Sequence, residues 1–281
     1  MPYRSVVRLN RFPGGVQKAV TASYDDGAVH DRRLVSIFNK AGLKGTFHLN
    51  SGLLGRSDVL TEEEICSLFS GHEVAIHSMT HPHLTSLSPI QLSYEVMADR
   101  RNLESLVGYP VRGMSYPFGT KSAALSASLE AYGIEYARVV SESRSDYAMP
   151  GDWLDWHPTC HHKDRLCERF ETFVASDPWV EMALFYVWGH SFEFHREDNW
   201  EIAEEFAKMA RSHREELWFA TNIEIKDYME ALRQVKISLD GTHILNPSAH
   251  TVWMEIDGEA ATLAPGNLLN CRSLTARPFY Q

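Results

Sequence analysis

Lys18-Ala-Val-Thr-Ala-Ser-Tyr24 is a strand-length run that ends in Asp25-Asp26-Gly27 and leads into a helical stripe over 29–41. The same unit recurs along the chain. Lys44-Gly-Thr-Phe-His-Leu49 precedes a helix opened by Thr61-Glu-Glu-Glu64, where Thr and Glu three residues apart form a capping box. Glu73-Val-Ala-Ile76 precedes a helix over about 88–107, started by Ser88-Pro89 and stopped by Gly108. Gly113-Met-Ser-Tyr116 follows with a helix over 121–132, then Glu135-Tyr-Ala-Arg-Val-Val140. A helix near 164–176 leads to Ala183-Leu-Phe-Tyr-Val-Trp188, and a helix over 199–213 leads to Leu217-Trp-Phe-Ala-Thr221 and a last helix over 223–234. A β-α unit repeated about seven times predicts an α/β fold with a parallel sheet and helical crossovers. Open or closed into a barrel, such a sheet binds ligands at the C-terminal ends of its strands. Asp25, Asp26, His77, His81 and His190 all lie just past a strand run.

From about 235 the period changes. Val235-Lys-Ile-Ser-Leu-Asp-Gly and Thr251-Val-Trp-Met-Glu-Ile-Asp-Gly alternate at period two and end in Asp-Gly, a hairpin signal. Residues 236–281 are therefore expected to form a small β appendage, or an edge extension of the main body.

The bulk composition narrows the function. The 281 residues are 44% hydrophobic and 23% charged, as in ordinary globular proteins, and the net charge is −10, from 27 Lys and Arg against 37 Asp and Glu. An acidic chain without a long basic run is a poor partner for nucleic acid or an anionic membrane and suits a neutral, sugar-like substrate better. No signal-peptide core or membrane-length apolar run is apparent, and Cys66, Cys160, Cys167 and Cys271 are scattered without a C-x-x-C pair. A cytoplasmic protein with reduced thiols is the expectation, with self-association left open. Cys160 next to His161 and His162 is either a second metal-binding cluster or a partly buried thiol.

His77-Ser-Met-Thr-His81 places two imidazoles four residues apart. Pro82 follows, which biases His81 away from helical geometry and puts the pair where a strand passes into a loop. Taken alone, such a pair reads more readily as two unrelated polar residues. Asp25-Asp26, in the matching place after another strand, favours a metal. Adjacent residues at a strand end point in different directions, so one carboxylate can bind the ion while the other faces its water as a base. Two His and one carboxylate with an open position is a hydrolytic zinc arrangement.

Ser23-Tyr-Asp-Asp-Gly27, His77-Ser-Met-Thr-His81, Tyr116-Pro-Phe-Gly119 and Tyr186-Val-Trp-Gly-His190 resemble, in order and approximate spacing, four motifs of the polysaccharide deacetylases. That family is the NodB homology domain, or carbohydrate esterase family four, and the resemblance covers roughly 16–232. It implies a distorted seven-stranded (β/α) barrel over 1–235 carrying the C-terminal β appendage. It also implies that Asp25 is the catalytic base, that Asp26, His77 and His81 bind one divalent metal, that the Phe118 backbone N–H is an oxyanion donor, and that His190 is the general acid. The metal is usually zinc; cobalt, nickel or iron also suit two His and one Asp.

The chain departs from the family where the third motif carries an Arg that steers the base: Ser115 stands there. Arg112 or Arg138 could restore the charge, and Arg138, ending a strand on the site edge, is preferred. The fourth motif has two registers, Asp152-Trp153 and Asp155-Trp156. Tyr116, Trp153, Trp156 and Glu193 are candidate substrate contacts, because sugar rings stack on aromatic faces; Glu193 could instead orient His190. The expected function is metal-dependent removal of an acetyl group from an N- or O-acetylated saccharide. The alternatives are hydrolysis of another small amide, such as a formyl amide or an allantoin-like ureide, and carbohydrate binding without catalysis.

Overall fold

The computed structural model describes residues 5–142, 147–177 and 182–271. The strands are β1 (Val7–Arg11), β2 (Lys18–Asp25), β3 (Thr46–Leu49), β4 (Glu73–Ile76), β5 (Gly113–Ser115), β6 (Tyr136–Arg138), β7 (Cys160–His161), β8 (Ala183–Gly189), β9 (Leu217–Phe219), β10 (Lys236–Ile237), β11 (His243–Leu245), β12 (Val252–Ile256), β13 (Glu259–Leu263) and β14 (Leu268–Asn270). The helices are α1 (Asp31–Ala41), α2 (Glu62–Leu68), α3 (Pro89–Val107), α4 (Ala123–Ala131), α5 (Leu166–Ala175), α6 (Ser191–Arg196), α7 (Glu201–Ser212) and α8 (Asn222–Gln234). The expected capping box forms at Thr61 with Glu64, Ser88 starts its helix with a further box to Gln91, and Gly42 and Gly108 end their helices with φ of 75°.

Parallel strands run in the order β6-β5-β4-β3-β2-β8-β7, with β9 paired to the start of β2. The two ends of this sheet meet. Trp156 bridges Arg138 of β6 through paired backbone hydrogen bonds of 3.0 Å, and six residues later His162 N–H donates to Trp188 of β8. The sheet is a distorted seven-stranded barrel. Its seventh strand is β7, not the run at 217–221 that the apolar pattern suggested. A two-residue strand flanked by histidines has no apolar run to announce it.

Strand parity explains the interior. Val20, Ala22 and Tyr24, Phe47 and Leu49, Val74 and Ile76, Met114, Ala137, Phe185 and Val187 pack outward against the helices. The alternate positions face in, and many are polar: Thr21, Ser23 and Asp25, Thr46 and His48, Glu73, Ser115, Arg138, all buried. Gly113 leaves the space for one inward ring, since a Cβ there would lie 2.0 Å from Tyr136. At the floor, α8 inserts its first turn. Asn222 N–H donates to Thr46 Oγ1 and Ile223 N–H to Glu73 Oε2, both at 2.9 Å, while Thr21 Oγ1 donates to Asn222 Oδ1 at 2.8 Å. Glu73 also accepts from Tyr136 Oη at 2.7 Å.

Beyond α8 the terminal strands form two antiparallel sheets, β1-β12-β13 and β10-β11-β14. The Asp257-Gly258 signal is a two-residue hairpin, with Ile256 opposite Glu259 and φ positive at both turn residues (52° and 91°). Val7–Arg11 pairs with these strands rather than with the barrel, and Tyr228 Oη of α8 ties the two together, donating to Arg11 O at 2.6 Å and accepting from Trp253 N–H at 3.0 Å. Residues 272–281 of the expected appendage lie outside the described residues. No described helix is long and apolar enough to cross a membrane.

Burial pushes the Glu73 carboxyl up from 4.5 to about 7. Between those values the folded chain holds a proton that the unfolded chain has released, so folding stability falls as pH rises through the window. Thermal unfolding followed from pH 4.5 to pH 8 is expected to show a shallower decline in Glu73→Gln than in the native chain.

Candidate metal and hydrolytic centre

The C-terminal strand ends bring the two acids and the histidines together. Four of the nine described non-glycine residues with positive φ stand here: Asp26 (77°), Ser78 (66°), His81 (63°) and Phe118 (57°). Each costs backbone strain that the surrounding barrel must hold. His77 is fixed from both directions. Its N–H donates to Leu49 O at 2.8 Å and faces Asp99 Oδ2 at 3.2 Å, and its ring Nδ1 lies 2.9 Å from the Ser115 carbonyl. A carbonyl only accepts, so the imidazole proton sits on Nδ1 and the Nε2 lone pair is free.

That lone pair points at Asp26. His77 Nε2 and His81 Nε2 each lie 3.7 Å from Asp26 Oδ1, and the three ligand atoms fall within 4.8 Å of one another. Burial holds His77 down at about 3, so its imidazole is neutral, as a ligand must be. Burial and the neighbouring Asp25 charge push the Asp26 carboxyl up, which a cation would relieve. The donor set therefore fits a divalent ion held at about 2 Å by two imidazoles and a carboxylate.

Asp25 lies beside this set, its Oδ2 3.8 Å from His77 Nε2, and is 3% exposed inside the barrel. Arg138 Nη2 contacts its Oδ2, Ser115 Oγ donates to its Oδ1 at 3.1 Å, and His48 Nδ1 lies 3.2 Å from the same oxygen. Burial raises the Asp25 carboxyl, but the Arg138 charge and the His48 hydrogen bond work against it, and the carboxyl is held well below the usual range. Arg138 is fully buried, stacked 4.4 Å over Trp188. Arg112 instead pairs with Glu135 and Asp227.

His190 reaches the opposite oxygen of Asp26, with Nε2 3.8 Å from Oδ2, and its Nδ1 lies 3.3 Å from Glu193 Oε2. Burial lowers this imidazole, but the Glu193 hydrogen bond and the charges of Asp25 and Asp26 outweigh it, so its pKa is raised. Phe118 is 54% exposed, its ring 4.5 Å from His81 and stacked 4.0 Å from His83. Its backbone lies in the turn Pro117–Gly119, beside the metal-type histidine.

Three expected substrate contacts are core residues. Tyr116 is fully buried and donates to Leu154 O at 2.8 Å. Trp156 is 1% exposed, packed edge-on against Tyr136 and Tyr186 inside the barrel. Trp153 packs on Trp156 and donates Nε1–H to Glu230 at 3.2 Å. Their loop setting hid the fact that this loop supplies the strand closing the barrel. Glu193 is buried rather than solvent-facing. Cys160 is a core thiol, pushed up to about 12 by burial, and belongs to no metal-type cluster among the described residues.

The residues not anticipated are His48 and Asp99; His161 and His162, read beside Cys160 as a possible metal cluster, instead meet Glu193. His48 carried a readable signal: a titratable group at the inward parity of an apolar strand. His161, His190 and Glu193 also bring three ligand-type atoms together. His161 Nδ1, however, accepts from the Lys163 N–H at 3.2 Å, so its Nε2 bears the proton and donates to Glu193, 3.1 Å away. This is a hydrogen-bonded cluster, not a cation site.

Comparison with known proteins agrees with this fold. Residues 14–137 match the family profile described as Polysaccharide deacetylase. Chitin deacetylase 1 of Cryptococcus neoformans is 26% identical over 137 residues, 48% of this chain and 28% of the relative. This chain thus matches little more than a quarter of the length of that curated relative. A Mycobacterium smegmatis structure assigned to the polysaccharide deacetylases superposes with TM-score 0.61 at 16% identity, over 85% of this chain and 98% of that one. A family 4 acetyl xylan esterase from Clostridium thermocellum, solved with a cobalt ion, gives TM-score 0.50 at 17% identity, over 74% and 89%. The motif resemblance is thus met by a family-profile match over residues 14–137, and the barrel shares its fold with the Mycobacterium smegmatis structure.

Two outcomes test this geometry. Arg138→Met leaves Asp25 as an uncompensated buried charge, and denaturant unfolding is expected to show a loss of about 3–5 kcal/mol; Arg214→Met, at an exposed pair, is expected to cost under about 0.5 kcal/mol. Dialysis of the native chain against zinc followed by elemental analysis is expected to give about one ion per chain, and His77→Ala or Asp26→Ala to leave only a small fraction of that.

Proposed function

We propose that this protein is a metal-dependent hydrolase that removes an acetyl group from an N- or O-acetylated oligo- or polysaccharide. The observation that carries the reading is the convergence of Asp26, His77 and His81 beside a separate, buried and ionised carboxylate, Asp25, with His190 on the other oxygen of Asp26. Pure saccharide binding needs neither a second acid nor a hydrogen-bonded imidazole there.

Asp26, His77 and His81 would hold one divalent cation, with zinc favoured by two imidazoles and one carboxylate. When bound, that ion supplies Lewis-acid polarisation of the acyl carbonyl and a more acidic water. The protein's own groups do the rest. Asp25 takes the proton of the attacking water, and Arg138, Ser115 and His48 fix the direction of its carboxylate and keep it ionised. The Phe118 N–H donates to the developing oxyanion, from a turn whose positive φ makes the amide available. His190 delivers a proton to the departing amine or alcohol from Nε2, while Nδ1 is engaged by Glu193. The exposed Phe118 ring offers a flat apolar face to a sugar, a part once expected of the tryptophans.

Acetate release from N-acetylglucosamine oligomers and acetylated xylan by the zinc-loaded chain tests the reading. Asp25→Asn is expected to lower kcat by about 10²- to 10⁴-fold with the bound metal retained. Metal binding without acyl release from any acetyl, formyl or ureide substrate overturns the enzyme reading, and turnover unaffected by Asp25→Asn overturns the choice of base.

A further inference from the structure

We infer that Glu193 is a positioning residue for His190, held in place by the consecutive side chains His161, His162 and Lys163; this rests on the reading of His190 as the proton donor. Glu193 lies in the first turn of α6 and is 8% exposed. Its Oε2 lies 3.3 Å from His190 Nδ1 and 3.2 Å from the His190 backbone nitrogen, so one oxygen grips both the ring and the main chain of its target. The same oxygen lies 3.1 Å from His161 Nε2 and 3.3 Å from His162 Nε2, and Oε1 accepts from Lys163 Nζ at 2.8 Å. Lys163 also reaches Glu197, one turn further along α6.

The tautomers follow from this arrangement. An ionised carboxylate only accepts, so the His190 ring must carry a proton on Nδ1. Nε2 is thereby the atom turned toward Asp26 Oδ2, 3.8 Å away, and the one that exchanges a proton with substrate. His161 is locked the opposite way round, because its Nδ1 accepts the Lys163 N–H and its Nε2–H is left for Glu193. The carboxylate thus has a donor on each side, and it cannot swing away from His190 without abandoning the buried His162 as well. Without the Glu193 charge, the His190 ring would be free to rotate and to place its proton on the wrong nitrogen. A capping contact with the His190 backbone alone would not require the imidazole contacts.

Two measurements on the full chain loaded with zinc separate positioning from mere support. Long-range proton–nitrogen NMR spectra are expected to show His190 with Nδ1 protonated in the native chain and with the other or mixed tautomers in Glu193→Gln. In acetate release, Glu193→Gln is expected to lower kcat about 10- to 100-fold with KM little changed and zinc content intact. In a His190→Ala background the same substitution is expected to add no further loss, since it acts through the missing ring. Glu193→Asp keeps the charge but withdraws it by one methylene; it is expected to give an intermediate kcat, and it serves if the Gln variant does not fold. An unchanged His190 tautomer, or equal losses from Glu193→Gln with and without His190, overturns the inference. A tautomer change in a chain that releases no acyl group supports it while overturning the proposed function.

Discussion

A seven-stranded barrel is narrow, and a polar group buried inside it is costly unless another inward-facing group meets it there. This constraint shapes the molecule from floor to mouth. At the floor, Glu73, Thr46, Thr21 and Asn222 satisfy one another around the inserted first turn of α8. At the mouth the same rule gathers Arg138, His48 and Ser115 around Asp25. The charged residues that give the site its chemistry are the last members of an inward-facing polar column, not a surface decoration.

The two carboxylates of Asp25-Asp26 illustrate how local geometry divides labour. Asp25 ends β2 at an inward position and is encased; Asp26 follows with a φ of 77°, which turns its side chain out toward His77, His81 and His190. Neighbours in sequence thus sit in opposite electrostatic settings, one carboxyl held down by a guanidinium and the other pushed up by burial and by its neighbour. The positive φ of Ser78, His81 and Phe118 serves the same end, aiming short loops at one point.

Much of this was legible in the chain. The β-α alternation, the capping box at Thr61, the helix start at Ser88-Pro89, the Asp257-Gly258 turn and the grouping of Asp26, His77 and His81 all rest on local signals that the fold keeps. Arg138 was legible from its place at a strand end. The failures share a cause. The strand Cys160–His161 is too short to show a period, so the tryptophans before it read as an open aromatic loop when Trp156 fills the barrel. Val7–Arg11 pairs across 247 positions with Glu255, and no window of sequence reports such a contact. Glu193 could be read as an orienter of His190, but its contacts with His161, His162 and Lys163 come from another chain segment and follow from no period or motif.

The stopper of α8 and the terminal strands has a consequence for traffic. Tyr136, Trp156 and Tyr186 pack the interior behind the site as part of one buried cluster. Under the proposed function, whatever is cleaved at the strand ends would depart through the opening by which its substrate arrived. Occupancy of that one opening makes arrival and departure mutually exclusive, so a released acid lingering there delays the next turnover.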